Sequence, residues 1–430
     1  MSSKHENTTT TEKATVALAP KLRFPQFQDA DAWEPTTIGA LGRFYYGKSA
    51  PKWSLAENAP TPCVRYGELY TKFGPVITET YSRTNTAPET LRFSKGGEIL
   101  IPRVGEKPED FGKCCAYLPI KGIAIGEMIS VLETRQHPLF YTYYFRNLYK
   151  QFAKVVEGQN VKNLYFTELE PLPIHRPSLP EQQKIAECLS SVDELMAAQA
   201  RKVDALRTHK KGLIQQLFPR EGETQPRLRF PEFRNAGEWE ETRLGQMGVL
   251  VSGLTYSPGD VRESGLLVLR SSNVQQGEIA LDDCVYVDAS IKGANLSQPN
   301  DILICVRNGS KALIGKCALI PEGMPLCTHG AFMTVFRAQM PDFVFQLFQS
   351  DRYQRQVAGD LGATINSING SQLLKYEFSI PKPEEQQRIA SCLSNLDAWI
   401  SAEAQKLEAI KTHKKGLMQQ LFPSPGEVDA

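Results

Sequence analysis

The sequence has no excess of charge of either sign. Its 430 residues carry 49 Lys and Arg against 48 Asp and Glu, a formal net charge of +1 at pH 7. A polybasic nucleic-acid binder or an acidic disordered chain would show a one-sided balance, so neither description fits. No run of about 18 apolar residues occurs, and residues 1–20 lack the apolar core of a secretion signal. The expectation is a cytoplasmic chain with no membrane segment. The nine cysteines are scattered and none are spaced C-x-x-C, so no metal site is expected and a reducing compartment fits. The adjacent Cys114 and Cys115 read as reduced, half-buried strand residues.

Catalytic constellations are also missing. There is no G-x-G-x-x-G after a strand, no H-E-x-x-H, no G-x-S-x-G, and no Asn-Pro-Pro-aromatic tetrapeptide of the amino-methyltransferase kind. Gly42 to Ser49 matches the letters of a phosphate loop, G-x4-G-K-S. Its context fails: bulky aromatics fill the loop and Pro51 follows where a helix must begin. These glycines read instead as a turn. His209 and His413 read as solvated positions late in helices, and His329 as a loop residue.

What the chain does have is repetition. Residues 181–219 and 385–423 align without a gap at an offset of 204, with 24 of 39 positions identical. Upstream, KLRFPQFQDADAW at 21–33 matches RLRFPEFRNAGEW at 227–239 at 7 of 13 positions. The protein is therefore two halves of about 205 residues, each with an opening motif, a body and a closing segment. The bodies, 34–180 and 240–384, have diverged. Weak echoes remain, such as FSKGGEILI at 93–101 beside LSQPNDILI at 296–304, and Gly47 beside Gly253. Both show Gly/Pro-punctuated apolar runs, among them Ile99 to Ile101, Ile302 to Ile304 and Met333 to Phe336, which predict strands. Residues 141–156 and 343–357 show helical spacing instead.

Each closing segment carries a heptad seam. Steps of four and three place Ile185, Leu189, Val192, Met196, Val203, Leu206, Leu213 and Leu217 on one stripe, and Ile389, Leu393, Leu396, Ile400, Leu407, Ile410, Leu417 and Leu421 on the other. The polar exceptions, Gln199 and Lys210 against Glu403 and Lys414, fall at equivalent places. Ser178 and Glu181 have the spacing of a capping box, and Pro219 and Pro423 end the helices. A stripe so narrow needs a partner, and the other copy is the natural one. The expected fold is mixed α+β: two globular domains in tandem, separated by two long helices that form an antiparallel coiled coil, with an internal pseudo-two-fold. The expected limits are 1–20 for a flexible extension, 21–180 and 220–384 for the domains, 181–219 and 385–423 for the helices, and 424–430 for a tail.

Divergent bodies framed by near-identical E-Q-Q-[KR]-I-A, T-H-K-K-G-L-x-Q-Q-L-F-P and L-R-F-P-x-F segments resemble the specificity subunit of type I restriction-modification enzymes, over nearly the whole chain from Lys21 to Pro423. The resemblance implies that the bodies are target recognition domains reading a bipartite site in double-stranded DNA, and that the helices set the gap. It also implies two methyltransferase subunits as partners, joined by restriction/translocase subunits. The chain itself would then be a non-catalytic subunit without a cofactor, S-adenosylmethionine and ATP with Mg2+ belonging to the partners. Candidate DNA contacts are polar and basic residues on turns beside strands: Arg65, Tyr66, Arg103 and Lys107 in the first body, and Arg270, Ser271, Asn273, Arg307, Asn308, Ser310 and Lys311 in the second. The Lys210-Lys211 and Lys414-Lys415 pairs are expected to face partner subunits or the duplex backbone. Two other readings stay open, a coiled-coil scaffold without DNA selectivity and a methyltransferase or nuclease with built-in recognition. The bodies differ in charge: the first has 18 basic against 14 acidic residues, the second 12 against 15. Weak DNA binding by the isolated chain follows, above all through its second body.

Overall fold

The computed structural model describes residues 18–48, 51–361 and 366–423. Most of the expected extension, the tail 424–430 and Ser49 lie outside these residues; Leu18, within them, bridges to Trp33. The described chain divides into two compact units, one of residues 18–198 with 407–423 and one of residues 199–406.

In the first unit a four-stranded antiparallel sheet has the order Gly42–Tyr46, Ile129–Thr134, Glu98–Pro102, Ala116–Leu118. Glu98–Pro102 is buried along its whole length, as an apolar EILIP strand between two neighbours should be. A second sheet orders Ser82–Thr84, Thr61–Val64 and Ala124–Ile125, the last pair parallel. Helix Pro138–Asn147 starts on a proline, with His137 Nδ1 accepting from Phe140 N–H as a cap, and it buries Phe140 through Phe145. These rings join Trp33, Leu189, Leu421 and Phe422 in one core, with Tyr144 stacked on Phe422 at 5.1 Å.

The second unit repeats this plan. Its main sheet runs Gly248–Ser252, Met333–Ala338, Ile302–Cys305, Cys317–Leu319. Its other four-stranded sheet ends in the parallel pair Leu266–Leu269 and Cys327–His329. Helices Pro341–Leu347 and Asp351–Asp360 stand where Pro138–Asn147 and Tyr149–Lys154 stand in the first unit.

Several local readings change. The glycines of the phosphate-loop lookalike bound a strand and make no turn: a Cβ on Gly42 would sit 2.1 Å from Glu133 O, and one on Gly47 2.1 Å from Gly126 O. Strand packing, and not phosphate, requires them. Cys114 and Cys115 follow helix Asp110–Lys113 and precede a strand, with Cys115 buried. His329 lies inside a strand, fully buried, its Nε2 2.9 Å from Val251 O and its Nδ1 3.1 Å from Ser297 Oγ. Burial holds its pKa below the usual histidine value.

The long helices span Leu179–Leu217 and Pro383–Leu421, 39 residues each. Within the first unit Lys414 meets Asp193, and Ile185 and Leu189 share a core with Leu417 and Leu421. Within the second, Lys210 meets Asp397 and Gln199 meets Glu403. Numbers rise along one helix as they fall along the other, so the segments pair antiparallel in each unit.

The opening motifs explain their own repetition. Glu181 does not close a capping box; both of its oxygens accept from Arg23 at 2.8 Å, and one also accepts from Trp33 Nε1. Arg23 further donates to Ala30 O and Asp31 O. In the second unit Arg229 grips Glu385 at 2.8 and 2.7 Å and donates to Ala236 O and Gly237 O. Leu22 N–H bonds Gln420 O, and Leu228 N–H bonds Gln216 O. Each opening motif thus ties the start of one long helix to the end of the other.

Candidate nucleic-acid interface

In the first unit the strand Thr61–Val64 delivers Arg65 and Tyr66 onto a turn that opens helix Tyr66–Thr71. Glu68 fixes the turn: its carboxylate accepts from Arg65 N–H at 2.8 Å and from Ser82 Oγ at 2.7 Å. Tyr66 is 37% exposed. Beside it runs the short segment Gly126 to Met128, held by Gly126 N–H to Val64 O and by Arg103 N–H to Met128 O, both at 3.0 Å. Lys48 N–H bonds Ile125 O, and a Cβ on Gly47 would fall 2.1 Å from Gly126 O, so only glycine lets the two backbones approach. Arg103 lays its guanidinium 4.8 Å over the Tyr46 ring with Nη2 3.1 Å from Met128 Sδ, while its Nε is buried without a partner. Lys107 stands exposed on the turn before helix Asp110–Lys113.

The second unit builds the same arrangement from different residues. Leu266–Leu269 delivers Arg270 and Ser271, and Asn273 takes the place of Glu68 by accepting from Arg270 N–H at 2.9 Å. Asn273 is 1% exposed, and its amide also donates to Ala280 O and Asp283 O. The expectation that Asn273 touches bases therefore gives way to a structural role, because its donors and acceptor are consumed inside the turn. Arg270 pairs with Asp283 at 2.7 Å. Asn308 Nδ2 donates to Ser271 Oγ at 3.0 Å, and Asn308 Oδ1 accepts from Ser310 N–H, so the two candidate groups of this body join into one surface. Arg307 lies 5.7 Å over the Phe332 ring, and Lys311 begins a single exposed turn, Lys311–Leu313.

The correspondence between the units is close. Gly330 N–H bonds Leu269 O as Gly126 N–H bonds Val64 O, and Val306 and Arg307 N–H bond Phe332 O as Arg103 N–H bonds Met128 O. Gly253 would place a Cβ 2.2 Å from Gly330 O. Each unit thus presents one arginine at the end of a strand and another stacked on an apolar side chain. Sequence reasoning missed Met128 and Phe332; nothing around them in sequence signals a site.

Type I restriction modification DNA specificity domain is the description of the family that matches this chain, over residues 31–207 and again over 236–412. The chain belongs to that family. A specificity-family relative, the type I restriction enzyme MjaVIII specificity subunit of Methanocaldococcus jannaschii, is 24% identical over 91% of this chain and 92% of its own. The type I restriction enzyme StySPI specificity subunit of Salmonella potsdam is 28% identical over 43% of this chain and 42% of its own. The crystal structure of the S subunit of a type I restriction-modification system from M. genitalium superposes with a TM-score of 0.58 at 16% identity, covering 95% of this chain and all of the other, which places the fold. No helix among the described residues is long and apolar enough to cross a membrane.

In this member of the specificity family none of the sixteen apolar seam residues of the long helices is exposed. The polar seam positions are filled deliberately. Gln199 donates to the Glu403 carboxylate at 2.7 Å and to Glu403 O at 2.8 Å, and Lys202, Lys406 and Trp399 Nε1 also reach that carboxylate. These donors, Gln199 foremost, hold the Glu403 carboxyl down at about 2. Lys210 is buried, bonded to Asp397 and to Gln349, and burial lowers its pKa against the pull of Asp397. Lys414 pairs with Asp193 and lies 5.2 Å over the Tyr143 ring, whose hydroxyl also donates to Asp193. The first lysine of each Lys-Lys pair therefore points into its own unit, contrary to expectation; Lys211, Lys415, His209 and His413 are exposed.

Proposed function

We propose that this chain is the non-catalytic DNA-reading subunit of a cytoplasmic type I restriction-modification complex. Residues 21–180 and 220–384 each read one half of a bipartite duplex target, and the helices 181–219 and 385–423 set the gap between the halves. Two methyltransferase subunits, and restriction/translocase subunits with them, supply the chemistry. The observation that carries this reading is the pair of equivalent arginine-bearing turns, built on the same backbone hydrogen bonds in two bodies whose side chains differ. A conserved frame with changed side chains is what reading two different short sequences requires. Arg65, Tyr66, Arg103 and Lys107 serve the first half-site, and Arg270, Ser271, Arg307, Asn308, Ser310 and Lys311 the second, with Asn273 shaping the turn. Arginine forks suit guanine edges, whereas lysine and serine suit phosphates.

Genome-wide methylation mapping in cells with and without this gene tests the reading. Loss of one bipartite methylated motif on deletion is the expected result. An unchanged methylome, or tight S-adenosylmethionine binding by the isolated chain, overturns it.

A further inference from the structure

Phe332 is an anomaly on the second unit. The residue is 57% exposed, yet hydrogen bonds hold its backbone and that of its neighbours. Gly330 N–H bonds Leu269 O, Ala331 N–H bonds Leu254 O, Met333 N–H bonds Gly330 O, and Phe332 O accepts from both Val306 and Arg307. A rigid turn that holds a large apolar side chain in water gives up burial for some other use. The ring borders a cleft of about 490 Å3 whose apolar wall is Leu254, Tyr256, Ala331 and Met333. Its polar rim is Ser271, Ser272 and the Arg270–Asp283 ion pair, and Arg307 lies 5.7 Å over the Phe332 ring.

The bulky apolar group on the major-groove edges of the bases is the 5-methyl of thymine. An apolar wall bordered by Arg307 and by the hydrogen-bonding Arg270–Asp283 pair and serines therefore matches a thymine beside groups that read neighbouring base edges. We infer that Phe332 and this cleft receive the methyl group of a thymine, so that the half-site read by the second domain contains a thymine recognised through its methyl. This rests on the DNA-reading function proposed above and adds the chemistry of one position. The first unit lacks the device: Met128, in the place of Phe332, is half-buried with its sulfur against Arg103.

The test uses the complex assembled with its methyltransferase subunits and duplexes carrying the mapped bipartite target. Each thymine is replaced in turn by deoxyuridine, which removes only the methyl. One second-half position is expected to lose about four-fold in affinity, the value of one buried methyl-sized group. First-half positions are expected to stay unchanged. Phe332→Ala should bind the thymine and uracil duplexes equally, with Phe332→Leu intermediate. No thymine in the second half-site, no sensitive position, or full methyl sensitivity in Phe332→Ala overturns the inference. So does loss of co-purifying methyltransferase from Phe332→Ala, which makes the ring a protein contact. Failure of the unaltered complex to select any bipartite duplex instead overturns the DNA-reading function itself.

Discussion

Replacing Arg23 with methionine leaves Glu181 nearly without donors. The Glu181 side chain is 1% exposed, both of its oxygens face the Arg23 guanidinium at 2.8 Å, and the Trp33 indole at 3.2 Å is the other side-chain donor. Removing one member of such a buried, bidentate pair costs about 3–5 kcal/mol, because a carboxylate stays desolvated and poorly compensated. A unit of this size loses about 2–4 °C in Tm per kcal/mol, so Arg23→Met should lower the melting transition of the first unit by about 6–20 °C. Arg229→Met should act on the second unit at least as strongly, since Trp239 Nε1 is buried without a partner and gives Glu385 no substitute donor. Differential scanning calorimetry on the single variants and on the double variant Arg23→Met/Glu181→Gln checks the argument. The double variant should recover much of the loss, because a neutral amide removes the stranded charge. A fall below about 3 °C for Arg23→Met, or a double variant no better than the single one, would refute the reasoning.

Three other outcomes are expected. Arg307→Ala should cost about 1–3 kcal/mol in target binding and relax selectivity in one half-site only, whereas Asn273→Ala should lower Tm through a loss of about 1–3 kcal/mol in folding; affinity measurements beside thermal melts separate the two. Gly253→Ala and Gly47→Ala each force a backbone shift, since the added carbon meets a carbonyl oxygen at 2.2 and 2.1 Å; methylation mapping should show a weakened motif while the far-ultraviolet circular dichroism of the helices persists. The Glu403 carboxyl sits at about 2 in the folded chain against an ordinary 4.5, so its contribution is complete above about pH 4.5 and drains away as pH falls toward 2. Acid titration of Glu403→Gln should lack that part of the acid-induced loss, and an acid limb identical to that of the unaltered protein would count against the assignment.

The frame was legible in the sequence because it is written twice. Heptad spacing located the long helices to within two residues, since a 3.5-residue stripe has few other solutions, and the apolar runs at 99–101, 302–304 and 333–336 all fall on strands. The sites were harder to read. Arg103 and Arg307 were both singled out, but FSKGGEILI laid beside LSQPNDILI sets Arg103 against Val306, and only their shared partner, the 128/332 carbonyl, reveals the equivalence. Asn273 has a base-reading side chain by type and a capping role by burial, a distinction that composition does not carry. Glu181 has the spacing of a capping box, yet a guanidinium 158 residues away claims it. Long-range hydrogen bonds of that kind leave no local periodicity to read.

The two units also differ in how they use the chain. The second is one continuous stretch, 199–406, whereas the first takes residues from both ends and needs Leu417, Leu421 and Phe422 to close its core around Tyr144 and Leu189. A ribosome makes the first body early but delivers those three side chains only after the whole of the second unit. The unit whose residues emerge first is therefore completed second, and until then its aromatic core stands open while the later unit already has all of its residues.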